Sequence, residues 1–544
     1  MAELALGAVG VIGILQLCYK CGDELVATCK AFRDADARLA ESAVRVEASW
    51  VQIGHQLRLL EEIAPLLDPR HRDVQEAALE TLLGKLRVAN AKLSKMWKDP
   101  EPHRGMEKVE TRRFKFAIAR KGVEEAVADL ERWRGVFDPS WYLIMTAARP
   151  EIDRQLVELT RRQTAEERRA GVPVSAARYL RKALHADRQQ GSRGSVFLAP
   201  DGLEPKSIRN LPYGTASTAR RADNGQSVLL DPVTCTSHPS DNAVLKDMRN
   251  FARRLQHVDP FTFGLLECKG LLKHHDTASA DPGGSSLGFS FVFRLPETHS
   301  GVQSLRSRLL GGAACRHESL SDRFDLARQV VRAVGYVHTY GFVHKNLRPE
   351  NILVLTRGAN TAPGETPTGQ MTPAEVAVLV GFDILRDADG KTHRLGDDNW
   401  ERNLYRHPSR QGTTPQVDYE MRHDIYSVGV CLLEIGLWTT FVDEGAAADG
   451  SRAGALSGLL GYDRGAELFR SPDDVKLRLL RLARGPLRAA VGTRYAEVVE
   501  TCLTCLDADN TDFGDEDEFR DEDGVAVGVR YIEKVIGKLE EIVV

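Results

Sequence analysis

Cysteine is scarce in this chain, with nine residues in 544, and its spacing gives no disulfide framework. Cys18/Cys21 and Cys502/Cys505 are CxxC pairs, a spacing that can serve a metal or redox site. Each lies in an apolar, helix-like stretch without a nearby histidine or second pair, so buried free thiols in a reducing cytoplasm are the expectation. An excess of charge is missing too. Lysine plus arginine number 73 against 77 acidic residues, net −4, which gives no sign of a nucleic-acid binder. A composition 42% hydrophobic and 28% charged excludes a mainly disordered, collagen-like or polytopic membrane chain. No constitutive membrane span is expected. The uncharged run Leu4 to Tyr19 (LALGAVGVIGILQLCY) reaches roughly 24 Å as a helix, against ~30 Å of bilayer hydrocarbon. Glu3 stands where a secretory signal would carry basic residues.

What is present divides the chain, whose length alone calls for two or more domains. Gly7, Gly10 and Gly13 draw a thin stripe along the first helix where another backbone can approach, as at packed helix interfaces in and out of membranes. Each also weakens an isolated helix by about 1 kcal/mol, so this segment needs its surroundings to stay helical. A buried first helix of a bundle is the plain reading. Asp23 to Ala40, Glu41 to Leu67, Val74 to Met96 and Phe114 to Val136 read as amphipathic helices, with Pro69 as a breaker. The aromatic stretch Phe137 to Met145 (FDPSWYLIM) reads as a lid on a bundle of four or five helices.

The glycine-rich apolar start, the helices after it and FDPSWYLIM resemble the HeLo domain of fungal cell-death and heterokaryon-incompatibility proteins, over residues 1–150. The resemblance implies a first helix that leaves the bundle and permeabilises a membrane when triggered. The side chains that would enter are Leu4, Leu6, Val9, Val11, Ile12, Ile14, Leu15 and Leu17, with Gly7, Gly10 and Gly13 between them. Residues 151–195 form a basic connector, in which Arg161, Arg162, Arg168, Arg169, Arg178, Arg181, Lys182, Arg188 and Arg193 outnumber Glu166, Glu167 and Asp187. A solvated helical brace is the plain reading; attraction to anionic lipid, worth about 1 kcal/mol per basic residue near the surface, is the functional one.

Residues 196–544 carry the sharpest pattern. After an amphipathic helix at Leu326 to Tyr340 comes His344-Lys345-Asn346-Leu347-Arg348-Pro349-Glu350-Asn351. It resembles the protein-kinase catalytic loop H-R-D-L-x-x-x-N in register. Gly381-Phe382-Asp383 follows a strand-like run where a kinase has D-F-G, Tyr405 to Pro408 stands near the A-P-E segment, and Asp424 to Val430 looks like the buried helix beyond. The resemblance implies an α+β, bilobal protein kinase-like fold with its chemistry removed. Asn346 replaces the base, Gly381 replaces the magnesium ligand, and Asp383 comes two positions late. The likeliest strand for the phosphate-holding lysine, Gln226 to Cys235, has none; the next helix, Asp241 to Gln256, has no glutamate; and no G-x-G-x-x-G is found. Only Asn351 survives, vestigially, so no cofactor, metal or residual ATP–magnesium binding is expected.

The expected architecture is therefore multidomain: an all-α bundle, a connector, and a pseudokinase. It is similar in layout to the animal necroptosis pseudokinase executioners. The resemblance implies a cytoplasmic resting state, an upstream protein trigger, self-association, and anionic lipids of the plasma membrane as the target. A signalling scaffold without membrane activity and a weakly active Ser/Thr kinase that binds ATP are the alternatives. Asp424 is read as capping its helix or holding the catalytic-loop backbone. Thr356 to Thr372 reads as an exposed loop between strands, 507–523 (ten acids, one arginine) as a solvated acidic loop, and Val529 to Val544 as a packed last helix.

Overall fold

The computed structural model describes residues 2–31, 37–67, 69–98, 108–146, 150–162, 172–185, 195–233, 242–276, 286–311, 318–358, 373–382, 386–387, 398–415, 417–446, 452–456, 458–460, 472–513 and 525–543. The side chains of Leu4, Leu6, Gly7 and Val9, much of the connector, most of the Thr356–Thr372 loop, Asp383 and most of the acidic stretch lie outside them. The chain divides into two compact units, with the border between Arg181 and Lys182.

In the amino-terminal unit, α1 (Ala2–Ala31), α2 (Ala37–Ile63), α3 (Pro69–Lys98) and α4 (Lys108–Ile144) are long helices. α1 packs on α3 and α2, and α4 on α3 and α2. Apolar residues at three- and four-residue steps supply the core: Val11, Leu15 and Leu25 of α1, Ile53, Leu57 and Leu60 of α2, Leu79, Leu82 and Leu86 of α3, Leu130 and Phe137 of α4. Pro69 breaks the chain between helices and then opens α3, a position where its missing N–H costs nothing.

Three expectations change. First, α1 runs unbroken through Gly22, because the glycine is where α2 crosses: a methyl group there would overlap the Trp50 ring. The indole Nε1–H of Trp50 donates to Asp23 at 2.8 Å beside it. Of the described glycines in the stripe, Gly13 is exposed with nothing within 4 Å of where its Cβ would be, and Gly10 faces the Glu76 carboxylate. Second, Phe137 to Ile144 is no separate lid but the last turns of α4, which continues past Pro139. Around the lost N–H, Gln56 donates to Asp138 (2.8 Å), Gln75 to the Ser140 hydroxyl (3.1 Å), and Ser140 to the Phe137 carbonyl (2.8 Å). Third, Arg181 is not a solvated connector residue. From α6 (Val172–His185) it is buried, bidentate to Asp153 of α5 (Pro150–Arg162) at 2.6 and 2.8 Å, and donates to the Met145 carbonyl at 2.9 Å. The two connector helices are thereby tied to the end of α4.

The carboxyl-terminal unit opens with a five-stranded antiparallel sheet. In sequence the strands are β1 (Arg209–Asn210), β2 (Ser217–Arg220), β3 (Ser227–Val233), β4 (Cys268–Asp276) and β5 (Ser286–Arg294), in spatial order β1-β2-β3-β5-β4. A single helix, α7 (Asn242–Arg254), lies against β4. Beyond β5, a second sheet in the order β6-β8-β9 combines β6 (Gly301–Ser304), β8 (Ile352–Thr356) and β9 (Glu375–Leu379). It backs onto α9 (Leu320–Thr339), which follows the short α8 (Leu305–Leu310). The strand β7 (Phe342–Val343) pairs with β10 (Arg386–Asp387). α10 (Met421–Leu437) is buried along nearly its whole length, between α9 and α12 (Thr493–Leu503), with α11 (Pro472–Leu482) alongside. A helical ending from Val525 to Glu540 completes the unit, with its middle turn widened into a π segment at Ile532–Gly537.

The two glycines of α1 give opposite predictions in the full chain. Gly22→Ala is expected to destabilise the bundle by about 1–3 kcal/mol through overlap with Trp50. Gly13→Ala is expected to stabilise it by roughly 0.5–1 kcal/mol. Urea unfolding followed by helix circular dichroism reads both signs.

Candidate functional site

The site forms where the five-stranded sheet meets the helical half of the carboxyl-terminal unit. Its anchor is Asp424, in the first turn of α10 and wholly buried. The carboxylate accepts the His344 N–H at 2.7 Å, the Lys345 N–H at 3.0 Å, the Tyr419 hydroxyl at 2.7 Å and Nε2–H of His338 at 3.0 Å. Burial pushes its pKa up, but the bonds and charge of His338 and the further bonds outweigh this and hold the carboxyl below its ordinary range. This grip keeps Lys345 at φ +65°, a left-handed conformation costly for a non-glycine residue. The loop from His344 to Asn351 is thereby fixed, and its Glu350 is tied in separately. Arg306 of α8 lies between Glu350 and Glu434 at 3.2 and 3.3 Å, with Tyr405 donating to Glu434 at 2.9 Å. Burial pushes the Glu434 carboxyl up to about 7 against the pull of Arg306.

Above the loop is a column of rings. His344 lies 4.6 Å from Phe382, Phe382 lies 4.5 Å from Phe251 of α7, and Phe251 lies 5.3 Å from Phe291 of β5, all between centroids. The column runs through both halves of the unit. Burial drives the His344 imidazole down to about 4, so it stands neutral in the column.

The chemistry-bearing positions meet at one backbone segment, Gly381-Phe382. Asn351 donates its amide to the Asn346 carbonyl at 2.7 Å, and Asn346 donates its own to the Gly381 carbonyl at 3.2 Å. From the sheet side, Asp231 of β3 accepts the Gly381 N–H at 2.8 Å and the Phe382 N–H at 3.4 Å. Gly381 has φ +80°, and a Cβ on it would overlap the Asn351 side chain. An aspartate cannot take this place without moving its neighbours. Asp383 lies outside the described residues, and no cluster of three metal-ligating side chains is found among the described ones.

The sequence reading names His344, Lys345, Asn346, Asn351, Gly381 and Phe382, and the structure brings these six together. It misses Asp231; a carboxylate in the middle of an apolar central strand (SVLLDPV) is the signal that points to it. It also misses Ser304 and Pro212. The loop between β1 and β2 bends onto the helical half: the Ser304 hydroxyl donates to the Pro212 carbonyl at 3.2 Å, and the Gly214 backbone lies against the Glu350 carbonyl. The CxxC thiols are free. Cys18, Cys502 and Cys505 are buried and Cys21 half-buried, and burial holds Cys18 at about 12, far from a reactive thiolate.

No protein-family model matches the chain. It is 30% identical over 131 residues to the mouse eukaryotic translation initiation factor 2-alpha kinase 1, covering 23% of this chain and 18% of that protein. The rat protein of the same name matches at 29% over 131 residues. The calcium/calmodulin-dependent protein kinase cmkB of Emericella nidulans is 39% identical over 66 residues, covering 11% of this chain and 16% of that one. The chain thus spans less than a fifth of the length of these relatives. Together with the loop and sheet geometry, they mark the carboxyl-terminal unit as kinase-like.

The buried His344 gives a pH prediction. Its folded pKa lies below the ordinary 6.5, so the stability it contributes is present above pH 6.5 and lost as pH falls towards 4. Glu434, raised, works with the opposite sign between 4.5 and about 7. His344→Leu isolates the first effect. Its stability is expected to fall less steeply than that of the unaltered chain between pH 6.5 and 4, by about 3 kcal/mol over the window. Urea midpoints at four pH values measure the difference.

Proposed function

We propose that the chain is a signalling protein whose kinase-like unit is a pseudokinase, a regulatory module that does not transfer phosphate. The observation that carries this reading is the Gly381 segment. Where kinases place a magnesium-binding carboxylate, the backbone there has φ +80° and Asn351 fills the space a side chain would need. Asn346 holds the base position with an amide, which cannot accept a proton at neutral pH. Asp231 adds a buried carboxylate on the strand where a lysine would draw in phosphates. Losing a general base typically costs 10²–10⁴-fold, and losing a preorganised charge at the transferring group about 10²–10³-fold. Such losses do not add independently, yet one of them applied to a kinase turning over at about 1–100 per second leaves little activity.

With radiolabelled ATP and magnesium, the purified chain is expected to phosphorylate neither itself nor a generic substrate above background, and thermal unfolding is expected to show no magnesium-dependent shift with ATP. Steady protein phosphorylation at an ordinary kinase rate overturns the reading and favours the weakly active kinase.

The amino-terminal unit is, in this reading, the effector. What supports it is the run Leu4 to Tyr19 placed at the start of an otherwise charged bundle, and the way α1 meets its neighbours. Val11 and Leu15 are buried, Ile12 and Ile14 half-buried, and Gly13 and Leu17 exposed. Among the described residues no helix is long and apolar enough to cross a membrane, so the proposed action is entry of the freed α1 into anionic plasma-membrane lipid in a self-associated form, after an upstream protein signal. Leu17→Glu separates this from a scaffold that only binds partners. Because Leu17 is exposed, the substitution is expected to leave the fold unchanged while abolishing dye leakage that the activated chain causes from phosphatidylserine vesicles. Equal leakage from both proteins, or none from either, sinks the membrane reading.

A further inference from the structure

Asn346 and Asp231 both bond the Gly381-Phe382 backbone. Asn346 donates to the Gly381 carbonyl at 3.2 Å, and Asp231 accepts the N–H groups of Gly381 and Phe382 at 2.8 and 3.4 Å. One peptide segment is therefore held from two sides, by the catalytic loop at its carbonyl and by the central strand of the other half at its amides. In an active kinase, nucleotide and magnesium would sit between these groups and draw the halves together through charge. Here the bonds are direct.

We infer that Asp231 is a positioning residue, the sheet-side jaw of a built-in clamp that joins the two halves of the kinase-like unit without any ligand. The inference rests on the pseudokinase reading and deepens it, by naming what stands in for the nucleotide. Three features make the clamp chemically consistent. A lysine in place of Asp231 would aim donors at donors, since what faces it from Gly381 and Phe382 are N–H groups. An aspartate in place of Asn346 would set a carboxylate against the Gly381 carbonyl and remove the donor. A side chain at Gly381 would collide with Asn351 and strain a backbone at φ +80°. Asp231, Asn346 and Gly381 each suit the group that faces them.

The clamp also sets the ring column. Phe382 is fixed by its own N–H on Asp231, and its ring is what links His344 to Phe251 of α7. α7 in turn carries Arg249, whose guanidinium lies 5.2 Å over Phe197, while Lys273 of β4 covers the same ring at 4.2 Å. Phe197 belongs to the short segment that bridges onto β4 at Leu271, immediately after the connector. The clamp therefore reaches, through α7, the segment at Phe197.

Hydrogen exchange on the full-length protein tests the clamp. In Asp231→Ala, a peptide spanning Val378 to Phe382 is expected to exchange about ten-fold faster or more, as lost bonds to a charged acceptor predict. A peptide from β8 serves as the unmoved reference. Asp231→Asn keeps the shape and one acceptor oxygen, so an intermediate acceleration is expected; it also serves if the alanine variant fails to fold. Unchanged exchange at Val378 to Phe382 in the folded variants overturns the clamp. Acceleration of the whole unit to the same degree does so too, since it marks Asp231 as mere packing. Neither result bears on phosphotransfer, and phosphotransfer by the unaltered chain would sink the pseudokinase reading whatever the exchange data give.

Discussion

A carboxylate at the start of a buried helix holds the kinase-like unit in register. Asp424 has no access to water, so its charge must be met by donors, and four converge on it: two backbone N–H groups of the loop, one tyrosine hydroxyl and one imidazole. Removing such a partner from a buried charge costs several kcal/mol, while the same charge with its full set of donors fixes geometry. That geometry includes Lys345 at a positive φ. A strained residue persists only where its surroundings over-determine it. The loop from His344 to Asn351 keeps its path through these bonds, with an asparagine at position 346.

The electrostatics of the cleft follow from that geometry. With the loop fixed, Asn346 presents an uncharged hydrogen-bonding group whose amide donates to the Gly381 carbonyl. Glycine at 381 lets the backbone approach Asn351 closely, and the N–H groups so presented need an acceptor because they are buried. Asp231 supplies it. In this site the protein satisfies its own polar groups. The β1–β2 loop resting on Ser304 and Glu350 belongs to the same logic, since its polar backbone finds partners across the cleft.

How much of this the sequence carried depends on the range of the interaction. Helices and strands whose signal is local periodicity were legible: the strand in Gln226 to Cys235 is Ser227–Val233, the helix in Asp241 to Gln256 is Asn242–Arg254, and the one at Leu326 to Tyr340 runs Leu320–Thr339. Boundaries failed where a tertiary contact overruled a local rule. Gly22 should weaken a helix, but Trp50 needs its missing side chain; Pro139 should end one, but polar side chains of three helices close around it. Arg181 counted as one more cation in a basic stretch, and only the fold brings Asp153 and the Met145 carbonyl to it. The loop motif placed six site residues together because they are close in sequence or belong to a known order of motifs. Asp231 is 150 residues from Gly381, and nothing short of the folded sheet joins them.

That separation bears on how the site is held together. Asp231 and Asn346 hold the Gly381 segment from two elements, and in contacts this close the effect of one substitution depends on the others. A lysine at 231 would face N–H groups, a carboxylate at 346 would face a carbonyl, and a side chain at 381 would meet Asn351. The three positions form a matched arrangement in which the two halves of the unit bond directly. The Phe382 end of this arrangement carries the ring column from His344 to Phe291.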